Sequence, residues 1–198
     1  MPAPSFDEYG TLPGNLVNPA KQVKQFSDYF VDPESQQFRW QEFKDSIDNR
    51  PDTDMVIEQY DNNTIVQQDV ALEEVIEKVG DLLGKIAGAF FDKDAIIETL
   101  VNSFTGLKEK EDSGVAHYDE QGGGTAFTYR VLFKVPNEHI PTDFYALVST
   151  VKLAAADIDS KESWFGLVKD SRQGFSAEVE AMKLACNENF QAGTQPSS

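Results

Sequence analysis

The sequence predicts an α/β protein in which a helical half precedes a β half. Residues 125–135 and 144–155 form two long runs that alternate apolar and mixed side chains. This pattern is typical of strands, whose successive side chains point to opposite faces of a sheet. Upstream, residues 69–90 carry apolar side chains at steps of three and four, which predicts a long amphipathic helix.

An irregular arm and a helical hairpin are expected first. Residues 1–17 contain three prolines and two glycines, which favours irregular structure. Asn18 followed by Pro19 is typical of an N-cap with a first-turn proline, and predicts a short helix that Pro33 ends. A second helix is predicted over residues 34–47, because apolar side chains recur there at helical spacing.

The next segment contains turn residues around a short apolar run. Residues 49–51 and 61–63 are predicted turns, and residues 55–57 between them are compatible with a strand or a loop. Beyond the long helix, Asp92 is a predicted N-cap of a further helix that Gly106 ends.

The predicted long helix has an apolar stripe and a row of glycines. The row implies close approach of another element, either a neighbouring helix or the sheet, or else a second subunit, since each glycine costs about 1 kcal/mol relative to alanine. The stripe and the row comprise Val75, Val79, Leu82, Leu83, Ile86, Gly80, Gly84 and Gly88.

The β half begins after residue 108. Turns are expected at residues 112–114 and 122–124, and further strands around His117 and over residues 163–169. Residues 174–185 fit a strand by alternation and a helix by propensity. We expect one domain over the whole chain, with a helical half at about 18–107, a β half at about 112–186, and irregular tails at 1–17 and 187–198.

Composition excludes several classes of protein. The net charge of −17 arises mainly before residue 112 and argues against a nucleic-acid partner, although a solubilising shell explains it as well. Cys186 is the only cysteine, so no intrachain disulfide is expected. The N-terminus does not resemble a signal peptide, and no stretch of about 18 apolar residues predicts a transmembrane helix. We expect a protein that starts dissolved and is released or secreted without a visible signal peptide.

No catalytic constellation is recognisable. The zinc-protease, phosphate-loop and nucleophile-elbow motifs are absent from the sequence. His117 and His139 are the only histidines, and we expect both to be surface imidazoles. The sequence therefore predicts neither an enzyme nor a cofactor or metal site.

The two alternating runs are long enough to interact with a membrane. About 9 to 11 residues of tilted strand cross a bilayer core, and most strands in water-soluble proteins are about half as long as these runs. Basic residues in the β half are candidates for contact with lipid phosphates or a sulfated glycan, or are simply solvated charges. These residues are Arg130, Lys134, Lys152, Lys169 and Arg172.

Several segments resemble a known family when taken in order. They are residues 102–107 (NSFTGL), 127–133 (FTYRVLF), Phe144 leading to 148–152 (VSTVK), and Phe175 leading to 182–185 (MKLA). Residues 69–185 thus resemble the Cyt family of bacterial insecticidal cytolysins and, more closely, fungal relatives of the volvatoxin A type. The resemblance implies a single three-layer domain, with helical hairpins around a mainly antiparallel sheet. It also implies that residues 174–185 form a strand.

The resemblance further implies a pore-forming, haemolytic activity at target-cell membranes. We expect the helices to move away, the chains to oligomerise on the bilayer, and the strands at 125–135, 144–155 and 163–169 to insert. Detergent-like disruption and a non-lytic ligand- or glycan-binding module are the alternatives. The candidates for the lipid-facing side are Phe127, Tyr129, Val131, Phe133, Tyr145, Leu147, Val151 and Leu153, with Trp164 and Phe165 at the interface.

Overall fold

A sheet of six strands lies at the centre of the fold. The computed structural model describes residues 5–121 and 123–195. The strands are β1 (Asp7–Tyr9), β2 (Met55–Val66), β3 (Val70–Ala71), β4 (Ala116–Gln121), β5 (Gly124–Pro136), β6 (Asp143–Ala155), β7 (Arg172–Gln173) and β8 (Phe175–Asn187). The sheet order is β1-β5-β6-β8-β2, and β4 also pairs with β5. β1 runs parallel to β5, whereas the other pairs are antiparallel. β3 and β7 form a separate two-stranded ladder.

Helices cover both faces of this sheet. They are α1 (Gly14–Asp28), α2 (Trp40–Asp48), α3 (Leu72–Ala87), α4 (Lys93–Phe104), α5 (Leu107–Asp112) and α6 (Lys161–Phe165). Side chains of α1 and α2 share a core with one face, and side chains of α3 to α6 share a second core with the other. The predicted α/β class, with helices on both sides of a mainly antiparallel sheet, is confirmed.

Three long strands form the middle of the sheet. β5, β6 and β8 each contain 13 residues, and β6 pairs with both of the others along nearly its whole length. Both sheet faces are covered by helices over part of their area, so these strands carry apolar side chains on both faces.

Several sequence predictions agree with the structure. The long helix is α3, and Asp92 caps α4 by accepting hydrogen bonds from the backbone N–H groups of Asp94 and Ala95. Residues 174–185, for which alternation favoured a strand, propensity a helix and the family resemblance a strand, lie in β8 apart from Gly174. The pairing of this strand with two neighbouring strands outweighs the helix propensity of its residues.

The prediction of turns at 61–63 was wrong, because these residues lie inside β2. This strand has 12 residues and pairs with β8 along most of its length, with one irregularity between Ile57 and Gln59. It is an edge strand, and most of its side chains are at least partly exposed. Its polar sequence therefore lacks the apolar alternation that reveals a strand buried on one face.

The prediction of a strand at 163–169 was also wrong, because α6 occupies the first half of this segment. Ser160 caps this helix by accepting a hydrogen bond from the backbone N–H of Ser163.

The two N-terminal helices begin at other residues than the sequence predicts. α1 starts at Gly14 and holds Pro19 in its second turn, and α2 starts only at Trp40.

The tails are less irregular than expected. Residues 7–9 pair with β5, and Phe190 and Ala192 are buried in the core beside α1. A short helix, α5, follows Gly106 where only a helix end was predicted. Residues 1–4 and 196–198 of the predicted tails and Gly122 of the predicted turn lie outside the described residues.

Gly80 and Gly84 of the predicted glycine row lie against α4, whereas Gly88 follows the end of α3, and a β-carbon there would lie 3.3 Å from Nζ of Lys183 in β8. A β-carbon built on Gly80 would lie 2.2 Å from Cγ1 of Ile97, whereas one on Gly84 would meet only the flexible chain of Lys93 at 3.2 Å. Gly80 thus permits the two helices to approach closely. In this state, Gly80 and Gly84 therefore contact a neighbouring helix, which is one of the partners predicted for the glycine row.

We expect Gly80→Ala to destabilise the protein and Gly84→Ala not to. The first should lower the free energy of unfolding by about 1 kcal/mol, because the clash outweighs the gain in helix propensity. The second should be neutral or stabilise by up to about 1 kcal/mol, because Lys93 can move aside. Urea unfolding followed by circular dichroism measures both, and equal effects would contradict the close contact assigned to Gly80.

Candidate functional site

The side chains predicted to face lipid lie on one side of the sheet. Eight of them are buried in the core shared with α3 to α6, and Tyr145 and Phe165 pack against it half-buried. In register, Phe127 lies opposite Leu153 and Phe133 opposite Leu147. The structure therefore gathers the eight predicted residues of β5 and β6 into one continuous surface, here called the apolar face, and places Trp164 and Phe165 on α6, which packs against it. In this state helices cover it, and its contact with lipid stays a prediction.

The α3–α4 hairpin is the main cover of the apolar face. Val75, Val79, Leu83 and Ile86 of the predicted stripe are buried in the same core, and Leu82 is half-buried against it. From α4, Phe104 places its ring 6.0 Å from that of Tyr129. Apolar contact of this kind is not directional, so acyl chains can replace it.

Polar anchors of the hairpin lie at its base. The backbone N–H groups of Leu72 and Glu73 donate to the carbonyls of Ser171 and Lys169, and Asp69 pairs with Arg172. Among the described residues, no salt bridge joins α3 or α4 to a strand of the six-stranded sheet. The hairpin is thus fixed by polar contacts at its base and held elsewhere mainly by apolar packing, with Ser103 of α4 as a polar neighbour of the Tyr129 hydroxyl.

An aromatic contact holds the tip of the hairpin. Phe90, between α3 and α4, stacks on Tyr145 of β6 with ring centroids 5.4 Å apart and meets His139 edge-on at 5.8 Å. On the sheet, the Lys183 ammonium lies 4.3 Å from the Tyr145 ring centroid and pairs with Glu58 at 3.2 Å. The tip therefore rests on exposed and half-buried groups that water can reach.

The opposite face of the same strands changes character along its length. Near α1 and α2 it is apolar, with Leu132, Val148 and Met182 buried. Further along it becomes polar and borders an open cleft, with Thr128, Arg130, Thr150, Lys152, Glu178 and Glu180 among the lining residues. The central strands thus have an apolar face and a partly polar face.

The five predicted headgroup-binding cations do not form one patch. Lys152 lines the cleft, whereas Lys169 lies beside α3 and α4 on the other side of the sheet. Lys134 and Arg172 pair with Glu8 and Asp69. Arg130 is fully buried, so contact with a headgroup would first require this state to open.

Arg130 instead links three backbone segments. Its guanidinium donates to the carbonyl oxygens of Ser5 and Gln36, at 3.0 and 2.9 Å, and to that of Gly114. It also donates to Nδ1 of His117 at 3.1 Å. Because arginine only donates, this bond requires His117 to be unprotonated at Nδ1.

The prediction of a surface imidazole was wrong for His117, which is only 5% exposed, and holds for His139. Burial, and secondly the charge of Arg130, lower the pKa of His117, while Asp119 opposes the shift. Side-chain alternation along β4 was the only sequence signal for the position of His117. It assigns the residue to one face of the sheet but does not show whether that face is covered or open.

We expect stability to fall as the pH drops below the ordinary histidine pKa of about 6.5. The unfolded chain then binds a proton that the folded chain resists, so His117 favours unfolding until its lowered folded pKa is reached. His117→Gln should flatten this dependence, and His139→Gln should keep it. Urea midpoints between pH 7 and pH 5 measure the effect. An unchanged slope in His117→Gln would contradict the assignment.

A family model described as "Bacillus thuringiensis toxin" matches residues 20–190. A solved structure named delta-endotoxin has 15% sequence identity and a TM-score of 0.82, covering 99% of this chain and 94% of that chain. The activated Cyt2Ba monomer from Bacillus thuringiensis subsp. israelensis has 14% identity and a TM-score of 0.80, covering 92% and 98%.

The two similarities to solved structures establish a shared fold. No curated protein matches the sequence at a significant level. Within the described part of the chain, no helix has both the length and the apolar character needed to span a bilayer.

Proposed function

Since the chain belongs to the Bacillus thuringiensis toxin family, we propose that it is a cytolytic toxin that forms pores in target-cell membranes. The resemblance to Cyt-type toxins is confirmed by the family match, and with it the prediction of a toxin that is not an enzyme. The closer resemblance to fungal proteins of the volvatoxin A type stays a prediction. We further propose that residues 1–198 act as one domain.

The observation that supports pore formation best is the apolar face under a hairpin whose backbone hydrogen bonds and ion pair to the rest of the chain lie at its base. A strand of 13 residues extends over about 43 Å and, tilted by about 45°, spans about 30 Å, the thickness of a bilayer core. Opening of the hairpin would exchange its side chains for acyl chains on the face that carries Phe127, Tyr129, Val131, Leu147 and Val151. The polar half of the opposite face would then line water, as in membrane barrels.

The third inserting strand in this proposal is β8. Residues 163–169, for which the sequence predicts that role, are partly helical, whereas β8 is as long as β6 and pairs with it. On the apolar face β8 presents Phe175, Ala177, Val179 and Ala181, all buried in the same core. Lys183, near its end, would lie at the level of the headgroups.

Assembly of several copies is part of the proposal. Lipid accepts a sheet only when its edges are paired, and a few strands from one chain cannot close a barrel. The released α3 would lie in the headgroup plane or pack between subunits through its apolar stripe and Gly88 at its C-terminal end. Its exposed acids, Glu73, Glu77 and Asp81, disfavour anionic lipid, so zwitterionic membranes should be sufficient.

Red blood cells and dye-loaded phosphatidylcholine liposomes test the proposal together. We expect haemolysis and leakage, with dextrans above a threshold size protecting the cells because a pore has a fixed diameter. Conductance steps of uniform size in planar bilayers should accompany this. Lysis without steps and without size-dependent protection would favour detergent-like disruption. Intact cells and liposomes would favour a non-lytic binding module and contradict the proposal.

A further inference from the structure

The polar cleft lies on the sheet face that α1 and α2 leave uncovered. It has a volume of about 200 Å³. Four strands contribute to its floor, because in register His117 lies opposite Thr128, Thr128 opposite Lys152, and Lys152 opposite Glu178. Phe38 and Trp40 form a wall, and the Trp40 indole N–H donates to Thr150 Oγ1 at 3.2 Å. His117 and Arg130 are buried at the bottom of the cleft, Thr128 and Lys152 are half-buried, and Glu178 lies with Gln37 and Asn62 on the exposed rim.

One buried polar atom in this cleft lacks a hydrogen-bond partner within the described residues. His117 is 95% buried, its Nδ1 accepts from Arg130, and its Nε2 makes no hydrogen bond. Asp119 Oδ2 lies 3.3 Å from Nε2, but the two atoms lack hydrogen-bond geometry. A buried unpaired N–H is costly, and a ligand atom that accepts from it would recover that cost.

The charges around the cleft disfavour simple ions as ligands. Asp119, Glu178 and Glu180 face Lys152 and the buried Arg130. A phosphate or sulfate group, which at neutral pH mainly accepts hydrogen bonds, would meet three carboxylates. An ammonium group only donates, so it would leave His117 Nε2 unpaired. A hydroxyl group both donates and accepts, and can therefore satisfy His117 and Asp119 together.

From this geometry we propose that the cleft binds a neutral, hydroxyl-rich ligand, namely a sugar or cyclitol residue. One hydroxyl accepts from His117 Nε2 and donates to Asp119, and its neighbours reach Thr128, Lys152 and Glu178. Phe38 and the edge of Trp40 contact the apolar ring face. The cleft is smaller than a typical drug-sized pocket of about 300–1,000 Å³, which suits a single ring. This ligand differs from the sulfated glycan suggested by the basic residues alone.

The binding test uses the full chain without membranes, so it is independent of lysis. Galactose, glucose, mannose, N-acetylglucosamine and myo-inositol are each titrated by saturation-transfer NMR and calorimetry. We expect saturable binding of at least one, with a dissociation constant of about 1 mM or tighter. Choline and inorganic phosphate should not compete. Binding to liposomes is then compared with and without a lipid whose headgroup carries the same sugar. This comparison shows whether the cleft recognises a glycolipid or only the free sugar.

Two variants test the assigned residues. His117→Phe removes the unpaired donor but also a partner of Arg130, so Asp119→Ala, at a half-exposed position, is the primary test. It should weaken sugar binding about tenfold or more through loss of a charged hydrogen bond. Glu98→Ala, on α4 across the sheet, is the matched control and should bind normally. The proposal is overturned if no sugar binds at concentrations up to 50 times the expected dissociation constant, if phosphate or choline competes, or if Asp119→Ala binds sugar as well as the control does.

Discussion

Tying the tip of the α3–α4 hairpin to the sheet should reduce liposome leakage nearly to the protein-free background. Phe90→Cys together with Tyr145→Cys replaces the two stacked rings by thiols that a short, disulfide-containing bis-maleimide can bridge. The bridge holds the hairpin over the apolar face, so β5 and β6 stay shielded from lipid. Reduction cleaves the bridge and should restore leakage. Cys186 should not react, because it is buried and burial raises the pKa of its thiol.

The matched control ties the two helices to each other instead of to the sheet. Asp81→Cys and Lys93→Cys replace an exposed ion pair whose Nζ and Oδ1 atoms are 3.0 Å apart. The same reagent should leave leakage intact there, because the hairpin can still move as a unit. If the bridge between positions 90 and 145 leaves leakage unchanged, the apolar face does not need to be uncovered and the proposed mechanism is wrong.

The largest loss of stability should follow from Arg130→Met. The substitution keeps an apolar chain of similar length but leaves the carbonyls of Ser5, Gln36 and Gly114 without their buried donor. A buried acceptor left unpaired costs about 1–3 kcal/mol, so we expect the free energy of unfolding to fall by about 3 kcal/mol or more. Urea unfolding followed by circular dichroism measures the loss.

Arg172→Met is the control for this experiment. Arg172 is more than half exposed and pairs with Asp69 at 3.6 Å, an arrangement that contributes about 0–1 kcal/mol. Its loss should therefore be small. Equal losses in the two variants would contradict the role of Arg130 as the link between the N-terminal segment, the α1–α2 connection and the turn before β4.

The elements predicted best were those whose pattern reflects one dominant environment. The stripe of α3 faces a single core, and the Asp92 cap is a local signal that needs no tertiary contact. The strands β5 and β6 were recognisable because each presents an almost continuous apolar side to α3 and α4. Periodicity alone was sufficient in these cases.

The remaining elements depend on partners that the sequence does not reveal. β2 is a strand because β8 lies beside it, and its exposed polar side chains give no alternation. For Arg130, the alternation of β5 predicts a face but not the Ser5 and Gln36 carbonyls that bury it. The cleft was missed for the same reason, since its side chains come together only when four strands pair in register and Phe38 and Trp40 pack beside them.

Single-tryptophan probes can report which face of β5 meets lipid. The chain has two tryptophans, Trp40 and Trp164. In the first probe, both are replaced by Phe and Phe127→Trp is added. Positions 127 and 164, whose buried rings have centroids 5.8 Å apart, thereby exchange Phe and Trp, so the core volume is nearly conserved. In the same background, Thr128→Trp places the indole on the adjacent residue, which lines the cleft on the opposite face.

Quenching of these two probes by phosphatidylcholine with brominated acyl chains tests most directly whether the apolar face exchanges helices for lipid. The account predicts that, while liposomes leak, emission from Phe127→Trp is strongly quenched and emission from Thr128→Trp is largely spared. Liposomes that leak while the Phe127→Trp emission stays unquenched would contradict it.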